Sequence, residues 1–133
     1  MSDHKKVPSS MNKDLKPAEW ILSFLFIGSK PGNPVIKDSL ELYKEFFVFV
    51  KETKPELDSY FEFISYDYGP YSFKLKTELS VLQLLKLIKI SRINNRTSYY
   101  LTKKGIEKAQ ILLDKIDQKT IEKITKIRKG GVN

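Results

Sequence analysis

Apolar positions recur with the 3.6-residue period of a helix in four segments of this 133-residue chain. The pattern predicts a first helix at residues 17–27, which is apolar on most sides, and a second at residues 39–54. A third helix is predicted at residues 73–87 and a fourth from 103 to about 128. These four segments indicate a mainly helical fold.

Residues that favour helix starts support these boundaries. Pro17 suits the first position of a helix. Asp38 and Glu41 have the spacing of a capping box before the second helix. Ser72 and Thr102 are suited to cap the third and fourth helices. Residue chemistry therefore agrees with periodicity at each of the four starts.

A two-stranded hairpin is predicted between the third and fourth helices. Residues 88–93 and 97–102 flank the sequence Asn94-Asn95-Arg96, and Asn tolerates the positive φ that tight hairpin turns demand. A helix followed by such a hairpin is the second half of a winged helix-turn-helix. The expected fold class is thus α+β, mainly helical.

Residues 60–68 are rich in aromatic side chains and are predicted as a short strand or extended segment before a Gly69-Pro70 turn. Exposed aromatics of this kind could form a base-stacking platform. The charged residues between these aromatics are the acidic Glu62 and Asp67 rather than Lys or Arg. We therefore expect the aromatic side chains to pack on the core. The residues concerned are Phe61, Phe63, Tyr66 and Tyr68.

Composition excludes several classes of protein and site. The chain has no Cys and therefore no disulfide or thiolate metal site, and its only histidine, His4, lies in a polar segment (residues 1–14) predicted to be a flexible tail. No apolar run reaches the ~18–20 residues of a membrane span, and no secretory signal is expected. We expect a cytoplasmic protein without metal, cofactor or membrane contact.

The net charge of +8 is concentrated in the second half of the chain. Residues 1–69 contain 9 Lys and 11 acidic residues, whereas residues 70–133 contain 15 Lys and Arg and 5 acidic residues. One-sided positive charge is typical of proteins that bind a polyanion. A basic surface that serves only solubility is the alternative.

The third helix separates apolar from polar positions. Its predicted apolar face contains Leu75, Leu79, Leu82 and Leu85, extended by Val81, Leu84 and Ile88. A narrow polar stripe contains Ser72, Lys76, Ser80 and Gln83, with Thr77 at its margin. A recognition helix needs such an edge free for a DNA groove, although an ordinary amphipathic helix has one too.

Basic residues also surround the predicted hairpin, where Arg side chains of a wing can lie along phosphates or in a minor groove. A hairpin that carries charge only for solubility is the alternative. The candidate DNA-binding residues are Ser72, Lys74, Lys76, Thr77, Ser80, Gln83, Lys86, Lys89, Arg92 and Arg96.

The fourth helix carries an apolar stripe with a roughly heptad-like spacing. About 25 residues would extend roughly 38 Å, more than a small winged domain needs to cover its core. We therefore expect residues 15–102 to form the winged-helix domain and residues 103–133 to form a dimerisation helix that ends at the Gly130-Gly131 pair. The alternative is that this helix folds back on the first. The predicted dimer contacts are Ile106, Ala109, Leu113, Ile116 and Ile124.

Two short segments carry a resemblance to known proteins. Residues 68–72, YGPYS, and residues 99–105, YYLTKKG, resemble segments of small winged-helix proteins of archaea and bacteria. The similarity covers roughly residues 15–115 and implies a recognition helix at residues 72–88 and a wing at residues 89–101. The connection at residues 55–69 is longer than a simple tri-helical turn.

The resembling families include transcription regulators, chromatin-associated proteins and antitoxin-like proteins. We therefore expect a homodimeric, nucleoid-associated protein that binds double-stranded DNA. The alternative is a protein-interaction module on a winged-helix scaffold, because fold alone does not fix function. An enzyme is disfavoured, since Asp58, Glu62 and Asp67 have no spacing that marks a metal site or an acid–base pair.

Overall fold

The computed structural model describes residues 15–29 and 38–131. Its first helix, α1 (Pro17–Phe26), is buried on nearly all sides. Its first turn is fixed by the Glu19 carboxylate, which accepts a hydrogen bond from the Lys16 amide at 2.9 Å. The nearly continuous apolar sequence of α1 predicts that it lies in the core. Its buried side chains are Trp20, Ile21, Leu22, Phe24 and Leu25.

Helix α2 (Ser39–Glu52) packs its aromatic face against α1. The Asp38 carboxylate accepts from the Leu40 amide at 3.0 Å and caps the helix, as the sequence predicts. The rings of Phe46 and Phe49 lie 5.3 and 5.4 Å from that of Phe24, measured between centroids. The helix ends two residues earlier than predicted, ahead of the Lys54-Pro55 bond, which disfavours helical geometry at residue 54.

An ion pair joins α2 to the C-terminal turn. The Arg128 guanidinium lies 3.0 Å from the Glu45 carboxylate, and the two side chains are only 4% and 6% exposed. Arg128 also donates to the carbonyls of Ile27 (3.2 Å) and Leu25 (3.4 Å), which the end of α1 leaves without helical donors. Burial raises the pKa of Glu45 to about 7, although the charge of Arg128 lowers it.

The connection after α2 is more structured than the sequence predicts. It contains a 3₁₀ turn (Pro55–Leu57), the short helix α3 (Asp58–Phe61) and two antiparallel strands, β1 (Ile64–Tyr66) and β2 (Gly69–Tyr71). The predicted turn at Gly69-Pro70 is wrong, since residues 67 and 68 form the turn and Gly69 begins β2 with a φ of +127°.

The helix and hairpin predicted at the centre of the chain are confirmed. Helix α4 (Phe73–Leu84) is followed by strands β3 (Ile88–Ile93) and β4 (Arg96–Leu101). Asn94 and Asn95 have φ values of 54° and 64°, so they make a two-residue turn with positive φ at both positions. Helix α4 ends three residues earlier than predicted, just before Lys86 adopts a left-handed φ of 63°.

A tight joint connects the end of α4 to the next helix, α5 (Lys103–Leu113). The Thr102 hydroxyl donates to the Lys86 carbonyl at 2.7 Å and accepts from the Gly105 amide at 2.9 Å. The Thr102 amide donates to the Leu87 carbonyl at 3.1 Å. A Cβ atom on Gly105 would lie 1.9 Å from that carbonyl oxygen. This close approach explains why glycine occupies the seventh position of YYLTKKG.

The predicted continuous fourth helix is wrong. Helix α5 stops at Leu113, and a separate helix, α6 (Gln118–Lys126), follows a turn and continues into a π-helical turn (Ile127–Gly131). The Asp117 carboxylate accepts from the Thr120 amide at 2.8 Å, so it caps α6 as a new helix. The rod expected for dimerisation therefore does not form.

The stripe predicted to mediate dimerisation lies inside the chain's own core. Ala109, Ile116 and Ile124 are buried, and Ile106 and Leu113 are half-buried. Helix α5 packs against α1, which is the folded-back alternative for this segment. Ala109, Ile116 and Ile124 are consequently not free to form an interface with a second copy.

The predicted tail at residues 1–14, with His4, lies outside the described residues. Within the parts that are described, no helix is long and apolar enough to cross a membrane.

Candidate nucleic-acid interface

Helix α4 exposes most of the polar stripe predicted from the sequence. Leu75, Leu79 and Leu82 are buried and hold the helix on the core. The exposed members of that stripe and its margin are Lys76, Thr77, Ser80 and Gln83. The helix therefore offers a polar edge to solvent beside an apolar anchor.

Ser72 is not part of that edge, and its prediction as a DNA contact is wrong. Its side chain is fully buried, and its hydroxyl donates to the Phe61 carbonyl at 2.6 Å. The same oxygen accepts from the Leu75 amide at 3.0 Å, which caps α4. Ser72 fixes the start of the helix and cannot reach a ligand.

The outer face of α4 is more apolar than the sequence predicts. Leu85 was predicted on the buried face and Val81 and Leu84 were predicted to extend it, but all three are exposed, and so is Phe73 at the start of the helix. At ~100° per residue, Phe73, Val81 and Leu84 lie within about 80° of one another around the axis. The exposed side of α4 therefore combines a polar edge with an apolar strip.

A groove runs between α4 and the β3–β4 hairpin. It has a volume of about 370 Å³, and the N-terminal end of α2 and strand β2 close its other sides. Lys76 and Ser80 line it from α4, and Arg92 lines it from β3. The groove thus brings together three residues that the sequence predicted as DNA contacts on separate elements.

The basic residues of the hairpin fall on two faces. Side chains alternate along a strand, so Arg92 shares one face with Ile90, and both line the groove. Lys89 belongs to the opposite face, as does Arg96, which pairs with Ile93 across the hairpin. The predicted cluster of Lys89, Arg92 and Arg96 is therefore divided, and only Arg92 lies beside α4.

Gln83 links the helix to the hairpin. Its side-chain oxygen accepts a hydrogen bond from the Ile90 amide at 2.8 Å. That oxygen is engaged within the protein, whereas the amide nitrogen remains a donor on an exposed side chain. Gln83 consequently sets the position of β3 relative to α4 as well as contributing to the polar edge.

Lys74 and Lys86 lie away from the groove lining. The Lys74 ammonium is 4.4 Å from the centre of the Tyr60 ring, and the Tyr60 hydroxyl donates to Glu78. Lys86 is exposed at the bend that follows α4, and its carbonyl is taken by Thr102. Both cations belong to the basic second half of the chain, but neither lines the groove with Arg92.

Two tyrosines missed in the sequence form much of the groove wall. The hydroxyl of Tyr99 lies 2.9 Å from that of Ser39, and Tyr43 is stacked on Tyr71 with centroids 5.0 Å apart. Burial raises the pKa values of Tyr43 and Tyr99 above the ordinary 10.0. Both phenols are therefore protonated at neutral pH. Tyr99 lies two residues before Leu101 in β4, so the two share a face of the strand. This spacing was the available sequence signal that Tyr99 faces inward.

The two cations of the groove form no ion pair with a carboxylate of the described residues, although the Asp38 carboxylate is close enough to Tyr99 in the groove wall to raise its pKa. Among the described residues, the ion pairs involve other cations, at Lys51, Lys54, Lys108 and Arg128. Lys76 and Arg92 form none of them. The groove therefore retains its positive charge for an external anion.

The aromatic hairpin β1–β2 corrects another prediction. Phe61 is buried and Phe63 packs against the core, as expected, but Tyr66 is 54% exposed and Tyr68 is 81% exposed. Tyr66 stacks on Tyr71 with centroids 5.3 Å apart and planes within 7°. The two pairs could not be told apart from the sequence, because each flanks one acidic residue, Glu62 in the first pair and Asp67 in the second.

The described residues contain no group of three or more His, Cys, Asp or Glu side chains that could hold a metal ion. Comparison with protein-family models, curated proteins and solved structures finds no match to this chain. The functional argument therefore depends on the geometry and charge of the groove.

Proposed function

We propose that this protein is a DNA-binding protein of winged-helix type, a transcription regulator or chromatin-associated factor that contacts duplex DNA through α4 and the β3–β4 hairpin. The observation that carries the proposal is the groove in which Lys76 and Ser80 of α4 lie beside Arg92 of β3. In this proposal α4 is the recognition helix and the hairpin is the wing. No catalytic activity is assigned to the protein.

Charge supports this proposal. Lys76 and Arg92 lack carboxylate partners among the described residues, so each can neutralise a phosphate without first breaking an ion pair. Neutralising phosphates releases condensed counterions from DNA, which favours binding at low salt. Lys89 and Arg96, on the other face of the hairpin, would contact DNA only where it curves around the wing.

Hydrogen-bonding groups on α4 support base contacts beside the phosphates. Ser80 is exposed at the groove, and the Gln83 amide nitrogen is a free donor next to it in the helical stripe. Such groups can read base edges in a major groove, while Lys76 and Arg92 fix the position of the backbone.

Gel-shift titration of a random and a genomic duplex at two salt concentrations tests the proposal. The double variant Lys76→Ala/Arg92→Ala should bind on the order of 10- to 100-fold more weakly near 0.1 M salt, and its salt slope should fall by about 2. The control Lys123→Ala/Lys126→Ala removes the same charge from exposed positions on α6.

The outcomes separate a local contact from general charge. If both double variants lose affinity equally, net charge rather than the groove determines binding. A third variant, Lys89→Ala/Arg96→Ala, measures the outer face of the hairpin. Wild-type protein that does not bind any duplex at low salt would exclude the proposal.

A homodimer and association with the nucleoid remain part of the proposal, although the stripe first expected to form the dimer is buried. Two-fold symmetric binding sites and a solution mass that doubles with protein concentration would support the dimer. A constant monomer mass, free and bound to DNA, would reject it.

The second candidate function is a protein-interaction module, and the apolar strip on α4 favours it. Phe73 and Leu84 are 61% and 79% exposed, and Val81 lies between them on the helix. A pull-down after nuclease treatment should then recover a stoichiometric partner that Leu84→Glu abolishes. Ile111→Glu is the control, because Ile111 is a similarly exposed residue of α5.

A further inference from the structure

Three tyrosine rings form a continuous parallel stack beside the groove. Tyr71 lies between Tyr43 and Tyr66, with centroid distances of 5.0 and 5.3 Å and interplanar angles of 10° and 7°. Tyr43 is buried at one end of the stack. At the other end Tyr66 is 54% exposed, and among the described rings only Tyr71 packs on it.

The exposed end of this stack has the chemistry of a site for a planar aromatic group. A ring held parallel to a buried neighbour is already oriented, so a ligand that stacks on it pays little additional ordering entropy. Nucleobases have such a face, and stacking on aromatic side chains is how single-stranded nucleic acid is commonly held.

Positive charge lies next to the same stack. Tyr71, the middle ring, lines the groove together with Lys76 and Arg92. A base on the free face of Tyr66 would thus be separated by that ring alone from Tyr71, which lines the groove. Aromatic stacking beside a basic groove is the usual combination in proteins that bind single strands.

We propose that the β1–β2 hairpin binds an unpaired base of DNA on the free face of Tyr66, while Lys76 and Arg92 hold the adjoining phosphates. The inference rests on the proposed function and specifies its substrate as DNA in which an unpaired stretch adjoins a duplex. The exposed side chain of Tyr68 covers the turn of the hairpin and is not part of the stack.

Fluorescence anisotropy with three labelled DNA ligands tests this inference. The ligands are an intact duplex, the same duplex with a three-nucleotide gap, and a twelve-nucleotide oligo-dT. Tyr66→Ala should weaken binding of the gapped duplex and oligo-dT by roughly 5- to 150-fold, since stacking on one aromatic side chain is worth about that much. Tyr66→Phe should remain within about twofold of wild type, because it keeps the ring.

Two controls separate stacking from loss of structure. Tyr68→Ala removes an exposed ring from the same hairpin and should have a smaller effect than Tyr66→Ala. In the wild-type protein, ¹³C-labelled tyrosine spectra should show an upfield ring-current shift of the Tyr66 ring when oligo-dT is added. A Tyr66 resonance that does not move, or a Tyr66→Phe variant as weak as Tyr66→Ala, would overturn the inference.

The same titrations keep this inference apart from the proposed function. If the intact duplex binds but the gap adds no affinity and Tyr66→Ala has no effect, duplex binding stands and the Tyr66 site is rejected. If only the gapped duplex and oligo-dT bind and Tyr66→Ala weakens both, the Tyr66 site stands and the duplex-binding proposal is rejected.

Discussion

The guanidinium groups of Arg128 and Arg92 lie in opposite environments, although both belong to the basic half of the chain. Arg128 is buried, with a carboxylate and two backbone carbonyls around it. Arg92 is exposed at the groove and has no ion-pair partner among the described carboxylates. Net charge alone therefore overstates how much positive charge remains for a polyanion.

The difference extends to the regions around the two residues. Around Arg128 and the Thr102–Gly105 joint, polar groups are satisfied within the fold, and a substitution there should change stability. Around Arg92 and Lys76, a substitution should change ligand binding and leave stability nearly unchanged. Four measurements, ordered by expected effect, test this division.

The largest effect is expected for Arg128→Met. Removing one member of a buried ion pair leaves the other charge without a partner, which typically costs about 3–5 kcal/mol. The free energy of unfolding, measured by urea denaturation, should fall by that amount. Arg92→Met should change it by less than about 0.5 kcal/mol. Equal losses in the two variants would contradict the contrast between the two arginines.

Gly105→Ala should destabilise the fold by about 1–3 kcal/mol, since the added methyl group would lie 1.9 Å from the Leu87 carbonyl oxygen. Because that contact is with backbone, it is relieved only if α5 shifts away from the end of α4. Lys103→Ala, at an exposed neighbouring position, is the control. A wild-type melting temperature for Gly105→Ala would show that the joint is looser than described.

The third measurement concerns pH. Burial raises the folded-state pKa of Glu45 from its ordinary value near 4.5 to about 7, so the folded protein binds a proton more tightly than the unfolded chain. The contribution of Glu45 to stability is present below pH 4.5 and is lost as the pH rises through 7. Glu45→Gln carries an amide that does not titrate, so wild type should lose on the order of 1–3 kcal/mol of stability relative to this variant as the pH rises from 5 to 8.

Glu41 lies close enough to Glu45 to raise its pKa, so Glu41→Gln should weaken the same pH dependence. Arg128→Met should strengthen it, because the charge that lowers the pKa of Glu45 is then removed. A stability difference between wild type and Glu45→Gln that stays constant from pH 5 to 8 would refute the assignment.

The smallest effect is expected for Gln83→Ala. It removes the hydrogen bond between the Gln83 side chain and the Ile90 amide, which is worth about 1 kcal/mol. Hydrogen exchange of the Ile90 amide should become faster while that of buried core amides is unchanged. Ser80→Ala is the control on the same helix, and it should leave the Ile90 exchange rate as in wild type.

Local signals explain which parts of the fold could be predicted. The caps at Asp38, Ser72 and Thr102 act on amides two or three residues away, and the Asn94-Asn95 turn depends on two adjacent residues. Helices α1, α2 and α4 and the β3–β4 hairpin followed from such signals. Their positions in the chain were therefore predictable from sequence.

Most errors of prediction arose where contacts between residues far apart in sequence determine burial and packing. No local signal distinguishes the buried Glu45 from the exposed acidic residues of α2, because its partner Arg128 lies 83 residues away in sequence. The apolar stripe after residue 103 has the same spacing whether it binds a second copy or the chain's own α1. The Asp117 cap is a local signal for the interruption that was missed, whereas only the packing shows that the stripe is covered by the core.

The candidate groove was predicted in part. Lys76, Ser80 and Arg92 were chosen from the sequence, whereas the walls at Ser39, Tyr43 and Tyr99 come from segments up to 60 residues apart. The period of two along β3 already separates Arg92 from Lys89. Which of those two faces meets α4 depends on the buried Ile88 and half-buried Ile90.

The contact between Arg128 and Ile27 spans 101 residues of the chain. Closing so long a loop is entropically costly, and contacts of high sequence separation slow folding. The carbonyl groups at the end of α1 must therefore stay hydrated until the last turn arrives. Ile124 and Ile127 join the same core from the C-terminal end, so a chain shortened before the last turn should leave the apolar end of α1 exposed and aggregate more readily.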